Sequence, residues 1–170
     1  PGHFYACDVP QPGDGQTLDA LIARFNPHDD VDVHLIKALF VTPFWGGRSG
    51  TRPAFVVTAD DGRGSGKTTL VEMVSDLAGG LIELTSNEDI GVTKTRLLSP
   101  EGLTRRVGLH DNVKSFKFSS AEMEALITSP TISGRKLYTG EGSRPNNLVF
   151  CFTLNGVSLS KDLAQRSVVV

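Results

Sequence analysis

Residues 55–69 read Phe55-Val56-Val57-Thr58-Ala59-Asp60-Asp61-Gly62-Arg63-Gly64-Ser65-Gly66-Lys67-Thr68-Thr69. The apolar run from Phe55 to Ala59 predicts a strand, the glycines a turn, and Leu70, Val71, Met73, Val74 and Leu77 a helix behind it. Such a unit can cradle phosphate: loop N–H groups point inward, the helix N-terminus adds partial positive charge, a lysine reaches the terminal phosphates and a hydroxyl reaches magnesium. Gly62, Arg63, Gly64, Ser65, Gly66, Lys67, Thr68 and Thr69 are therefore the predicted nucleotide-binding residues. Lys67 supplies the ammonium and Thr68 the hydroxyl for Mg2+.

The stretch follows the Walker A pattern G-x-x-x-x-G-K-[ST] except at its first glycine position, which falls on Asp61 with Gly62 immediately after. A carboxylate pointing into the loop would repel phosphate, so Asp60 and Asp61 are expected to face away or to serve magnesium or partner contacts. A glycine-rich turn that merely precedes a lysine is the competing reading, and the flanking strand and helix weigh against it.

A chain of 170 residues with 39% apolar and 21% charged residues predicts one soluble α/β domain with a real core. Its longest apolar runs fall far short of the roughly twenty residues that span a bilayer, and no signal peptide is apparent, so a cytoplasmic protein with no membrane contact is expected. The net charge of −2 gives no global attraction to nucleic acid, which leaves that role to a local patch. Cys7 and Cys151 lie far apart in the chain and read as reduced, buried thiols rather than a disulfide. His3, His28, His34 and His110 show no metal-ligand spacing and are read as structural. The chain starts at Pro1 and ends at Val170 within an expected strand, and so reads as a piece of something longer.

The expected division is an N-terminal arm and short helix over 1–29, then the nucleotide-binding core over 30–170. Leu18, Leu21, Ile22 and Phe25 recur at helical spacing, and Leu35, Ile36, Leu39 and Phe40 mark a second helix over Asp30 to Val41. Trp45 either stacks on a base near the loop or caps the hydrophobic core, and the core role is preferred. Leu81 to Leu84 predicts the next strand, followed by an N-cap at Ser86-Asn87-Glu88-Asp89 and a segment that stops at Ser99-Pro100.

Val107 and Leu109 fit a further strand with Asp111 at its carboxyl end, where open parallel sheets place their ligands. Magnesium on a bound triphosphate needs a carboxylate near the loop hydroxyl, and Asp111 is the candidate; alone, it could be an ordinary turn residue. Ser119-Ser120-Ala121-Glu122 matches a capping box. Between Thr131 and Asn147 the chain turns polar and carries Arg135, Lys136, Tyr138 and Arg144, which suits a plain surface hairpin or a nucleic-acid contact. Leu148 to Leu154, apolar apart from Thr153, reads as a strand buried on both faces, ended by Asn155 and followed by Arg166 just before a final strand, Ser167 to Val170.

Taken in order, the phosphate loop, Asp111-Asn112, the polar hairpin, Asn155 and Arg166 resemble the AAA+ ATPases. Within them, Ile132-Ser133-Gly134-Arg135-Lys136-Leu137-Tyr138, then Arg144-Pro145-Asn146-Asn147, then Asn155, look like the superfamily-three helicases and the primase-helicases of phages, plasmids and other mobile elements. The resemblance covers residues 55–170 and rests on order and spacing; it does not extend to residues 1–54. It implies a three-layer αβα P-loop NTPase with a parallel sheet of order 5-1-4-3-2, ending here before the C-terminal lid. It also implies MgATP as cofactor, with Lys67, Asp111, Asn155 and Arg166 as catalytic residues and Thr68 and Asp111 on the metal. Asp111 takes the Walker B role, Asn155 that of sensor 1, and Arg166 that of a finger completing a neighbouring subunit's site. A homo-oligomer, a hexameric ring, is implied, gripping single-stranded or forked DNA through Arg135, Lys136 and Arg144.

The departure from the family is Asn112, which stands where a glutamate often polarises water. Either another carboxylate such as Asp60 or Asp61 serves as base, or hydrolysis is slow. Three functions follow: the ATPase core of a mobile-element replicative helicase, an ATP-dependent oligomeric switch that hydrolyses poorly, and a small-molecule phosphotransferase, which the placement of Asn155 and Arg166 disfavours.

Overall fold

Alternate residues of the central strands face opposite ways, and both sets are apolar, so the sheet is driven to bury both faces. The computed structural model of the chain describes residues 11–59, 64–85, 88–113, 121–155 and 159–170. Gly62, Arg63, Asp60, Asp61, Cys7, the Ser86-Asn87 part of the expected N-cap and the Ser119-Ser120 part of the capping box lie outside the described residues.

Helices α1 (Gln16–Ala23) and α2 (Asp30–Val41) precede strand β1 (Ala54–Val57), which leads to α3 (Lys67–Leu77) and β2 (Leu81–Leu84). Then come α4 (Ile90–Leu97), α5 (Pro100–Thr104), β3 (Val107–Val113) and α6 (Ala121–Thr128). The hairpin β4 (Thr131–Lys136) and β5 (Gly140–Pro145) follows, and β6 (Val149–Leu154), α7 (Lys161–Gln165) and β7 (Ser167–Val169) complete the order. The sheet runs β2-β3-β6-β1-β7 with every neighbouring pair parallel, while β4 and β5 pair antiparallel apart from it. Counting only the five sheet strands in chain order and reading from the β7 edge, this is 5-1-4-3-2, the expected P-loop NTPase order.

Every residue of β1 and β6 is buried. On one face Ala54, Val56, Phe150, Phe152 and Leu154 pack with Leu97 of α4, Met123, Leu126 and Ile127 of α6, and Leu163 of α7. On the other, Phe55, Val57, Leu109, Val149 and Cys151 pack with α2 and α3. The three layers are thus helices, sheet and helices. Ile22 of α1 belongs to this second cluster at 1% exposure, and Leu18, Leu21 and Phe25 pack against it. The hydrophobic core thus takes in α1, on the N-terminal side of position 30.

Among the described residues, two short α-helices depart from the expectation. Ser99-Pro100 starts α5 rather than merely ending α4: Ser99 Oγ accepts the Gly102 N–H at 3.0 Å, and proline suits the first helical turn because its missing N–H has no helical partner. Ser160 Oγ likewise accepts from the Leu163 N–H at 3.1 Å and starts α7. Trp45 does not cap the core: it is 49% exposed, with the Arg52 guanidinium over its ring, 5.5 Å from ring centroid to carbon. Cys151 is a free thiol in the core, and burial pushes its pKa up to about 12. Among the described residues, no helix is long and apolar enough to cross a membrane.

Candidate active site

Parallel strands deliver their carboxyl ends to one edge, and the chain places its loop there. Gly64 and Gly66 take φ of +85° and +83°, a left-handed backbone that side chains resist, and Gly66 is the N-cap of α3. The first N–H groups of that helix consequently face the cleft beyond β1, β3 and β6. Gly64, Ser65, Gly66, Lys67, Thr68 and Thr69 line it from one side, and Asp111, Asn112, Thr153 and Asn155 from the other, around a volume of about 340 Å³.

Lys67 is buried, and its Nζ donates to Ser65 Oγ at 2.8 Å, so its charge is held within the loop. Thr68 Oγ1 donates to Asp111 Oδ1 at 2.7 Å. The same carboxylate oxygen accepts from Thr153 Oγ1 at 2.6 Å, and Thr153 Oγ1 in turn accepts the Asn112 N–H at 2.7 Å. Asn155 Nδ2 closes the row by donating to Asn112 Oδ1 at 2.8 Å. One hydroxyl and one carboxylate in contact make a hard oxygen pair, and this fits a magnesium ion that keeps waters and phosphate oxygens as its other ligands.

A second recess of about 740 Å³ opens beside the loop, walled by Phe25, Pro27, His28 and Ile36 from the α1–α2 region and by Val169 and Val170 at the other side. Sequence reading missed this wall and missed Thr153. The signal for Thr153 was present as the one hydroxyl in an otherwise apolar central strand.

The remaining predicted residues lie elsewhere. Arg166 is exposed, its Nη1 donating to Thr128 Oγ1 at 3.0 Å, and its carbonyl accepts from Ala54 N at the start of β1. Since the loop follows the end of β1 and Arg166 lies at its start, Arg166 and Lys67 sit at opposite ends of neighbouring strands. Arg135 is exposed on β4, next to the turn that presents Leu137 and Tyr138. Lys136 is half-buried and runs across Gly142, where a Cβ would collide with its side chain.

Arg144 is not a nucleic-acid contact. It is 8% exposed, and its guanidinium donates to the carbonyls of Leu97, Gly102 and Arg105, at the ends of α4 and α5. Burial pulls its pKa below the ordinary arginine value. Helix ends leave carbonyls without partners, and a guanidinium answers several at once. Asn146 does the same for α6, donating to the carbonyls of Leu126 and Ser129, each at 2.8 Å. The Arg144-Asn146 pair therefore fastens the base of the hairpin.

His110 precedes Asp111 in β3 and is buried, its ring stacked on Phe152 at 5.1 Å between centroids and 11° between planes. Desolvation lowers its pKa to about 4, so the imidazole is neutral beside the cleft at neutral pH. Among the described residues no cluster of three or more histidine, cysteine or acidic side chains forms a metal site.

The sequence matches no protein-family model and no curated protein. Solved structures do resemble the fold. The apo C-terminal region of NrS-1 aligns over 91% of this chain and 37% of its own, with a TM-score of 0.63 and 14% identity. JCV helicase, solved with a bound small molecule, aligns over 87% of this chain and 42% of its own, with a TM-score of 0.61 and 15% identity. The chain thus spans about two fifths of the length of these structures, and the likeness is one of fold.

Proposed function

We propose that this chain is the ATP-binding and hydrolysing AAA+ core of a DNA helicase or primase-helicase from a phage, plasmid or other mobile element. The observation that carries the reading is the convergence of Lys67, Thr68, Asp111 and Asn155 on one cleft at the carboxyl edge of the sheet. In this reading the N–H groups at the start of α3 and the Lys67 ammonium hold the β- and γ-phosphates. Thr68 and Asp111 hold Mg2+, which neutralises charge on the phosphates. Gly62 and Arg63 are assigned to nucleotide binding from their place in the sequence motif, and Phe25, Pro27 and His28 flank the base.

Asn155 and Asn112, joined side chain to side chain, orient the attacking water. An amide accepts no proton, so that task falls to Asp60 or Asp61. Arg166, a sheet's height from its own loop, acts on the nucleotide of an adjacent subunit, stabilising charge on the transferred phosphoryl group. This requires a neighbouring copy of the chain, and we infer a hexameric ring with Arg135, Lys136 and the tip at Leu137-Tyr138 turned to single-stranded or forked DNA in its centre. The likeness in fold to JCV helicase supports the helicase reading.

A slowly hydrolysing ATP-dependent switch is the second reading, favoured by one observation: the residue that meets Asn155 is the amide Asn112, without a carboxylate. ATP turnover with and without single-stranded DNA separates the two, because DNA stimulation belongs to the helicase and nucleotide-dependent assembly without stimulation belongs to the switch.

A further inference from the structure

Successive side chains of a regular strand point to opposite faces, yet Asp111 and Asn112 both line the cleft. The reason is a β-bulge. The β3–β6 register shifts between His110 and Val113, and Asn112 sits at φ +51°. A bulge takes an N–H out of the ladder, and a buried or half-buried N–H needs another acceptor. For Asn112 that acceptor is the Thr153 hydroxyl at 2.7 Å, whose own proton goes to Asp111 Oδ1 at 2.6 Å. Thr153 is 2% exposed, on β6 between β1 and β3, and pairs with Val57 in the sheet. Its rotamer is therefore set by packing, not by the nucleotide.

We propose that Thr153 is a positioning residue that holds Asp111 and Asn112 in one bulge, so that the metal-binding side of the cleft and its water-orienting side move as a unit. The inference rests on the reading of the cleft as an ATP site. The hydrogen-bonded row runs Thr68, Asp111, Thr153, Asn112, Asn155, and Thr153, which also lines the cleft, is the one member to which the ATPase reading gives no nucleotide, metal or water to hold. Its two bonds need a group that donates and accepts at once, which serine retains and valine lacks.

Thr153→Val and Thr153→Ser in the intact protein test this, with steady-state ATP turnover, ATP binding, and hydrogen exchange at the Asn112 amide. T153V is expected to lower kcat about 10- to 100-fold while the Kd for ATP changes less than about threefold, since binding is dominated by the loop. It should also speed exchange at Asn112 about tenfold or more. T153S should recover most of the rate and the protection. Turnover in T153V within about twofold of wild type, or T153S as impaired as T153V, overturns the proposal, the latter because bulk rather than the hydroxyl would then matter. If the wild-type protein turns over no ATP, the ATPase reading itself fails. The exchange experiment still decides the positioning role: unchanged protection at Asn112 in T153V overturns it, and lost protection restored in T153S supports it.

Discussion

Thr68, at the start of α3, and Asp111, in the bulge of β3, share a 2.7 Å hydrogen bond across the cleft, although they are 43 positions apart in the chain. A hydroxyl that donates to a carboxylate in this way presents two oxygens side by side, and a divalent cation arriving with phosphate would take both. Thr68→Ala and Asp111→Asn should accordingly raise the Mg2+ concentration needed for half-maximal ATP turnover by about tenfold or more. A magnesium titration of each variant checks it, and an unchanged requirement would remove both residues from the metal.

Lys67 lies under the loop with its ammonium on Ser65. Lys67→Ala should abolish ATP binding or turnover, because no other cation lines the cleft among the described residues. Binding of a fluorescent ATP analogue and phosphate release report the two losses separately.

Arg166 and Lys67 lie at opposite ends of neighbouring strands. Arg166→Ala should therefore leave ATP binding nearly intact and cut turnover about 10³-fold. Mixing it with Lys67→Ala should restore part of the activity if the two residues serve one site from different subunits. Full activity of Arg166→Ala alone would remove the finger assignment.

Arg135 and Arg144 sit on the same hairpin and should behave oppositely. Arg135→Ala should weaken single-stranded DNA binding, more so at low salt, without changing stability. Arg144→Ala removes the guanidinium that the carbonyls of Leu97, Gly102 and Arg105 share and should cost about 2–4 kcal/mol of stability. Urea unfolding and DNA titration of the two variants distinguish a surface cation from a structural one.

His110 imposes a pH dependence whose sign follows from its depressed pKa. The unfolded imidazole takes a proton near pH 6.5 and the folded one only near 4, so the unfolded state binds more protons in that window. Stability should thus fall as pH drops from about 6.5 to 4, by on the order of 3 kcal/mol, and this part of the loss should be absent in His110→Gln. Denaturant unfolding at several pH values measures it.

Much of this site was legible because its chemistry is local in the chain. Gly64 to Gly66 turn directly into the helix that carries Lys67 to Thr69, and a turn that needs left-handed glycines ahead of a helix says so in its residues. The strand order followed from family resemblance, and the doubly apolar β1 and β6 agree with it. Arg144 was misread because sequence shows a cation in a polar hairpin and cannot show three helix-end carbonyls converging on it from residues 97–105. Thr153 escaped for a related reason, since Asp111 and Asn112 both reach it only when β3 bulges against β6. The α1–α2 wall of the second recess depends on Phe25 and Ile36 folding back over the loop, a contact with no local signature.

The most direct test of the account is ATP turnover by the intact protein with and without single-stranded DNA, with Lys67→Ala as the control. The account predicts Mg2+-dependent hydrolysis that single-stranded DNA stimulates and that Lys67→Ala lacks. Turnover indifferent to both DNA and the Lys67 substitution would contradict it.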